Sequence, residues 1–305
     1  MRIFVTGASG HIGSAVIPEL INAGHEVIGL ARSNASAAAI AAAGAEVRRG
    51  DLDDLDGLGR AAAEADGVIH LAFKHEAMRT GDFPVAIAAD RRAIEALGDA
   101  LAGTGKPFVG TAGTLMLALG GLTRVGTEAD VFATGPRIEA ENAVIAFAER
   151  GIRSSVVRLP PTVHSSLDHH GFIPTLIAIA RDKGVAAYVG DGATRWPAGH
   201  TLDAARLYRL ALEAAPAGTR LHAVDDEGIP FREIAEAIGR HLDLPVVGIA
   251  PDQASTHFGY LGPFVSLDNP TSSTRTRELL AWKPTQPGLL EDLDQGHYFG
   301  APTAS

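Results

Sequence analysis

None of the 305 residues is cysteine, which excludes disulfides, thiolate metal sites and cysteine nucleophiles together. Basic charge is in deficit as well: 26 Lys and Arg against 36 Asp and Glu leave a net charge of −10, so the basic footprint that nucleic acid requires is missing. The same balance disfavours long-range attraction to anionic membranes. No long apolar run is present; the most alanine-rich stretch, Ala35–Ala43, is too short and too weakly apolar to span a bilayer. Among the 12 histidines there is no H-E-x-x-H or H-x-x-x-H pair, and adjacent His169 and His170 would point apart, so no metal site is expected. The stretch RRGDLDD at 48–54 looks superficially like a calcium loop, but Leu55 and Ala62 stand where ligands belong. MRIFVTG reads as a first strand and not as a charged leader, so a soluble cytoplasmic protein is the expectation.

What is present is a globular composition, 46% apolar and 20% charged. Short apolar runs alternate with helical segments: strands at Ile3–Val5, Glu26–Leu30, Glu46–Arg49, Gly67–Leu71, Pro107–Val109 and Ser154–Leu159, with helices at Ile12–Ala23, Ala35–Ala43, Leu55–Ala65, Val85–Ala102 and Arg137–Arg150. Such alternation predicts an α/β fold, a Rossmann-type doubly wound parallel sheet covered on both faces. The pattern breaks at Leu159-Pro160-Pro161, after which 164–173 and 190–200 read as loop-rich. A helix near Leu202–Ala215, a strand at Arg220–Val224, a helix at Pro230–Leu242 and a strand at Val246–Ala250 follow. We expect a dinucleotide-binding domain over 1–160, with 200–224 packing back onto it, and a smaller substrate-binding region from 161–199 and 225–305.

Thr6-Gly7-Ala8-Ser9-Gly10-His11-Ile12-Gly13 lies between the first strand and the first helix. A glycine-rich turn at that place lets backbone N–H groups approach a pyrophosphate, which rests at the positive end of the helix. The second strand ends in Arg32-Ser33, with no acidic residue to accept from a ribose 2′-hydroxyl. Arg32 offers a cation and Ser33 a hydroxyl to a 2′-phosphate, which points to NADP(H) in preference to NAD(H). The plainer alternative is that Ser33 caps the next helix and Arg32 is solvated. Asp51 is placed to accept from an adenine amino group.

Taken together these residues resemble the extended short-chain dehydrogenase/reductase superfamily, related to nucleotide-sugar epimerases, dihydroflavonol reductases and 3β-hydroxysteroid dehydrogenases. TGASGHIG matches the TGxxGxxG loop, GDL at 50–52 the adenine-side motif with Leu52, and HLA at 70–72 the end of the fourth strand, where Leu71, Ala72 and Phe73 would line the cofactor. VVRLPPTVH at 156–164 matches the strand leading into the nicotinamide-flanking segment, with Pro160 and Thr162; GHTLDAARLYRLALE at 199–213 resembles a downstream helix entry. The resemblance implies a small-molecule substrate, and a homodimer through helices such as 85–102 and 137–150. It also implies a tyrosine acid with a lysine four residues on, and here that pair is missing. Tyr188, Tyr208, Tyr260 and Tyr298 are followed at that spacing by Gly192, Leu212, Phe264 and Pro302.

Aligned through Glu141, the lysine position holds Arg137 and the tyrosine position Ala133. Thr134 and Gly135 read as a turn, Pro136 suits the first helical position, and Arg137 then sits in the first turn, where its charge opposes the helix dipole by roughly 0.3–1 kcal/mol. Arg137 is expected to hold the nicotinamide ribose; an Arg137–Glu141 surface pair is the alternative, in the weaker order for a helix. Ala112 falls at the serine position, so Thr111 or Thr114 would bond the substrate oxygen. Replacement proton donors are His164, Tyr188, His169 or His170, or water, with Trp196, Pro197 and His200 near the pocket. The function expected is an NADP(H)-dependent oxidoreductase acting on a small-to-medium, largely apolar carbonyl, alcohol or activated alkene. The alternatives are a non-catalytic NADP(H)-sensing protein and an epimerase or dehydratase using bound NAD(P).

Overall fold

The computed structural model describes residues 1–75, 82–135 and 137–300. The strands of the first half are β1 (Arg2–Thr6), β2 (Glu26–Ala31), β3 (Glu46–Arg49), β4 (Gly67–His70), β5 (Pro107–Gly113) and β6 (Arg153–Leu159). Between them run α1 (His11–Asn22), α2 (Asn34–Ala42), α3 (Leu55–Glu64), α4 (Phe83–Leu101), the short α5 (Leu115–Leu119) and α6 (Ile138–Ala146). Beyond β7 (Thr162–His164) come α7 (Phe172–Lys183), β8 (Ala186–Val189), β9 (Arg195–His200), α8 (Thr201–Ala214), β10 (Thr219–His222), β11 (Asp226–Pro230), α9 (Phe231–Leu242) and β12 (Val246–Ile249). Four short helices complete the chain, α10 (Ala254–Phe258), α11 (Gly262–Val265), α12 (Thr274–Leu280) and α13 (Leu289–Asp294).

Seven strands form one parallel sheet in the order β10-β6-β5-β4-β1-β2-β3. Its central strands are apolar on both faces (Ile3, Phe4 and Val5 in β1, Val68 and Ile69 in β4), as a sheet covered by helices on both sides requires. One face packs on α1, α2 and α8, with Val16, Leu20, Ile40, Tyr208 and Leu212 in a common core. The other packs on α3, α4 and α6 through Leu58, Leu97, Phe108, Val144 and Phe147. The chain order reverses between β1 and β4, the place where such sheets open a crevice at their carboxyl ends.

The chain leaves the large sheet at Leu159 and builds a second layer: a three-stranded sheet β11-β9-β7 and the pair β12-β8, around Trp196, Phe231 and Phe258. It then returns, α8 lying on α1 and β10 pairing in register with β6, Thr219 opposite Ser155. Residues 195–200, read from sequence as loop, are strand β9, although Pro197 removes one donor from the ladder. The 164–173 stretch ends in α7, whose apolar face of Ile173, Leu176, Ile177 and Ala180 follows at once. No helix among the described residues is long and apolar enough to cross a membrane.

The helix expected over 137–150 begins one residue later and closes in a 3-10 turn at Phe147–Arg150. Arg137 is its cap, in the left-handed region with φ +61°, and the place given to Pro136 lies outside the described residues. The Arg137–Glu141 side-chain pair, the alternative to a cofactor-facing Arg137, does not form. Glu141 is buried and faces the other way, accepting from Arg158 Nε at 2.9 Å and Nη2 at 2.6 Å and from Arg220 Nε at 2.6 Å. Arg158 also donates to the Asp130 carbonyl at 2.9 Å, and Asn142 Nδ2 to that of Phe132 at the same distance, so α6 and β6 pin the loop that precedes α6. His222 completes the group: burial pushes it down to about 4, and its neutral ring accepts from Arg158 and donates to the Ser272 carbonyl.

Burial alone would raise Glu141, but the two guanidinium groups outweigh it and hold the carboxyl below its usual range. Glu141→Gln should therefore lose about 3–5 kcal/mol of stability at neutral pH, since it leaves two arginines without their counter-charge. A folded value below the unfolded one gives stability that is present above the unfolded value, about 4.3 for glutamate, and is lost as pH falls through the folded one. The gap between native chain and variant should narrow as pH falls below about 4.3; chemical denaturation at pH 7 and at about pH 3 reads it, and an equal gap at both would refute the assignment.

Candidate functional site

The turn from β1 into α1 stands at the β1/β4 switch point. Gly7 has φ +67°, and a Cβ there would stand 2.7 Å from Ala72 N and 2.8 Å from Leu71 C. A Cβ on Gly13 would meet the Gly7 carbonyl oxygen at 2.3 Å, so α1 starts hard against the turn. Gly10 caps α1 with no side chain of its own and is the least constrained, its added Cβ 3.2 Å from Gly7 O. Gly10 N donates to Gly7 O at 3.0 Å and Ser14 N to Gly10 O at 2.8 Å, so the N–H groups of His11, Ile12 and Gly13 open α1 at the positive end of its dipole, as a pyrophosphate requires. The motif residues from Gly7 to Gly13, Ile12 included, are thus brought together as the sequence predicts.

Beside the loop runs a buried chain of hydrogen bonds. Ala72 N donates to Thr6 Oγ1 at 3.2 Å, and Thr6 Oγ1 lies 2.8 Å from His70 Nδ1. His70 Nε2 reaches Asp90 Oδ1 at 3.2 Å, and Asp90 Oδ2 pairs with Arg137 Nη2 at 3.6 Å. Burial would raise Asp90, but the bond from His70 and the charge of Arg137 prevail and keep it ionised. Arg137 Nη2 also donates to the Thr111 carbonyl at 3.2 Å, and the guanidinium lies over the Phe73 ring, 4.2 Å from its centroid. Arg137, Thr111, Leu71, Ala72 and Phe73 therefore gather at the carboxyl ends of β4 and β5, next to the glycine turn. Tyr208, fully buried on α8, donates to Thr111 Oγ1 at 2.8 Å.

Several expected contacts are otherwise engaged. The Thr111 hydroxyl donates to the His70 carbonyl at 2.8 Å, and that of Thr114 is buried and accepts from Asn269 Nδ2 at 3.2 Å, so neither is presented to a substrate oxygen. Thr162 Oγ1 donates to the Pro197 carbonyl, and Pro160 is buried. His164 is fully buried with Nδ1 on Asp292 Oδ2 at 2.8 Å, which removes it as the proton donor. Tyr188 lies in β8 under the Arg232 guanidinium and against Gly192 and Gly248, among none of the residues of this site, and is removed likewise. His169 and His170 are exposed.

On the adenine side, Ser33 caps α2 in a reciprocal box with Ser36, while Arg32 is exposed and has no partner among the described residues. Asp51 is exposed and turns one carboxylate oxygen onto the N–H groups of Asp53 and Asp54; Leu52 is buried. Among the described residues no cluster of three or more His, Asp or Glu could hold a metal. His70 and Asp90 were not singled out from the sequence, although a signal exists. Ala86, Ala89, Ala93 and Leu97 mark the buried stripe of α4, and Asp90 is a charge placed on it.

A doubly wound sheet with a glycine turn of this geometry at its switch point defines a Rossmann-type nicotinamide-dinucleotide-binding protein. Residues 3–103 match the NAD dependent epimerase/dehydratase family. An uncharacterized protein of Schizosaccharomyces pombe is 48% identical over 304 residues, 98% of this chain and 100% of that one. A 2-alkyl-3-oxoalkanoate reductase of Stenotrophomonas maltophilia is 28% identical over 264 residues, 81% of this chain and 77% of that one. The dTDP-glucose 4,6-dehydratase of Streptomyces venezuelae, solved with NAD bound, has the same fold, with a TM-score of 0.77 at 21% identity over 97% of this chain and 96% of that one. Residues 3–103 thus carry the NAD dependent epimerase/dehydratase pattern, within a fold shared with the dehydratase over nearly the whole chain.

The turn sets a graded expectation. Gly7→Ala and Gly13→Ala, which force a Cβ into backbone, should each lose roughly 2–4 kcal/mol, whereas Gly10→Ala should lose less than about 1 kcal/mol. Denaturant midpoints of the three variants check the order; equal losses would contradict the packing of the turn.

Proposed function

We propose that this chain is an NADP(H)-dependent oxidoreductase acting on a small-to-medium, largely apolar carbonyl, alcohol or activated alkene, with an arginine in the lysine's place and no tyrosine acid. The observation that carries it is Arg137. A left-handed cap, a buried carboxylate, a backbone carbonyl and an aromatic face hold its guanidinium at the carboxyl ends of β4 and β5. A structural surface arginine needs none of these. The residues fit the cofactor: Gly7 and Gly13 keep a cradle open that any Cβ would fill, and the unpartnered Arg32 follows β2 where a 2′-phosphate would be received. Ser33, engaged in its cap, leaves that selection to Arg32.

Once bound, the nicotinamide supplies or accepts the hydride. Arg137 holds the ribose with the donors that Asp90 and Thr111 leave free. A guanidinium is no proton donor in a protein, so this side chain positions and does not protonate. Ala133, at the tyrosine's place, is exposed and has no titratable atom, so the proton comes from His169, His170 or water. The likeness to a reductase supports this reading over epimerisation or dehydration, as does the absence of an acidic residue after β2. A non-catalytic NADP(H) sensor is the second reading, favoured by the engagement of the Thr111 and Thr114 hydroxyls within the protein.

Arg32→Ala should weaken NADPH about tenfold to a hundredfold, the loss of one charge-assisted contact of roughly 1.5–3 kcal/mol, and leave NADH nearly unchanged. Dissociation constants from nicotinamide fluorescence decide it; an unaltered NADPH to NADH ratio removes the selectivity. NADPH oxidation across a panel of ketones, aldehydes and enones separates the two readings, since tight binding with no turnover leaves only the sensor.

A further inference from the structure

His11, the first residue of α1, turns its ring away from the glycine loop toward the second layer. Its Nε2 lies 2.7 Å from the hydroxyl of Thr201, the first residue of α8. That hydroxyl has a single proton, which it donates to the His164 carbonyl at 3.0 Å, and it already accepts from the Ser165 hydroxyl at 2.9 Å. Toward His11 it can only accept. The hydrogen is therefore on Nε2, and in the neutral ring Nδ1 is a bare lone pair. Nδ1 faces Asp168 Oδ1 at 3.7 Å. Asp168 is buried, accepts from Gly171 N at 2.7 Å and from the Tyr298 hydroxyl at 3.4 Å, and has no cation beside it among the described residues.

A lone pair and a carboxylate in this arrangement repel each other, and one proton on either group turns repulsion into a bond. Burial pushes Asp168 up to about 6. Burial first, and then His169, His164 and His200, push His11 down to about 4. The surrounding charges are accounted for. His164 of β7 is tied to Asp292 of α13, which also lies 3.7 Å from His297. His200 of β9 accepts from Leu202 N, and Asp203 of α8 accepts from Thr285 N and Gln286 N. His169 and His170 are exposed on the loop between Asp168 and α7.

We propose that His11 and Asp168 form a one-proton dyad that links binding of the dinucleotide pyrophosphate to proton uptake, with His11 as a positioning residue of the phosphate loop. The proposal rests on the reading of that loop as a dinucleotide site. In the free chain the dyad loses its proton as pH rises through about 6. A pyrophosphate at the α1 N-terminus adds negative charge beside the pair and raises its proton affinity. The bound value lies above the free one, so affinity is greatest below the free value and falls as pH rises toward the bound value. One fully linked proton changes affinity about tenfold per pH unit.

NADH is the probe of choice, because the 2′-phosphate of NADPH titrates near 6 on its own. Its dissociation constant should rise roughly three- to tenfold between pH 6.5 and 7.5, and calorimetry at pH 7 in two buffers of different ionisation enthalpy should register proton uptake. His11→Gln, which keeps a donor for Thr201, and Asp168→Asn, which keeps an acceptor for Gly171 N, should each flatten the profile. Binding without pH dependence or proton uptake in the native chain overturns the dyad and leaves the dinucleotide site standing. A slope that persists in both variants overturns it too. Failure to bind either nucleotide overturns the dinucleotide reading and the dyad together.

Discussion

The carboxyl ends of β1 and β4 approach so closely that a hydrogen is all that fits between Gly7 and the Leu71–Ala72 peptide. The rest of the site follows from that contact. Ala72 N is brought within reach of Thr6 Oγ1, and Thr6 within reach of His70. His70 in turn orients Asp90 on the neighbouring helix, and Asp90 fixes Arg137. A turn shaped to admit a phosphate and a cation held some strands away are thus two ends of one hydrogen-bonded chain. Displacing the turn by a methyl group disturbs both, which is why the glycines cannot be treated as a cofactor motif independent of the fold.

An arginine where the resemblance implies a lysine is not a conservative change. A lysine amine lends and recovers protons and needs no permanent counter-charge; a guanidinium does neither. Partly buried between Phe73 and the end of β5, it is matched by an anion, and α4 supplies Asp90 from its apolar stripe. The left-handed cap at Arg137 lets the side chain leave the helix axis toward that anion instead of running along α6 to Glu141, whose carboxylate is held by Arg158 and Arg220. The two buried acids thus divide the nearby arginines without crossing. Asp90 takes the one that faces the cofactor side, and Glu141 takes the pair that braces the loop before α6.

The inner strands of the large sheet are legible in the sequence because they are short, mostly apolar runs between helices, and burial on both faces leaves little else such a run can be. The glycine turn is legible for a related reason, since Gly7 and Gly13 each answer to a steric demand that only glycine meets. The second layer is less so. β9 contains Pro197 and Gly199, and β7 is three residues long, so tertiary pairing decides both against local preference. The roles of polar side chains are the least legible. His164, Thr114 and Thr162 have the residue types and neighbourhood of a catalytic group, and only packing shows them turned inward to Asp292, Asn269 and Pro197. Asp90 shows the converse. A lone acid on an apolar stripe is a conspicuous local conflict, and its partners, distant in sequence, explain it.

The two layers meet across a seam that is polar where a domain interface is ordinarily apolar. His11, Thr201, Ser165, Asp168 and Tyr298 join the phosphate loop, the start of α8, the loop after β7 and the C-terminal turn in one run of hydrogen bonds. Apolar contacts tolerate sliding, because they have no preferred direction; hydrogen bonds with assigned donors do not. Such a seam holds the second layer in one register over the glycine loop. It also exposes that register to any change in the charge of a single group. His70 and Asp90 stay beside Arg137, while His11 and Asp168 stand at the joint between the two layers, where one proton more or less changes how the halves fit together.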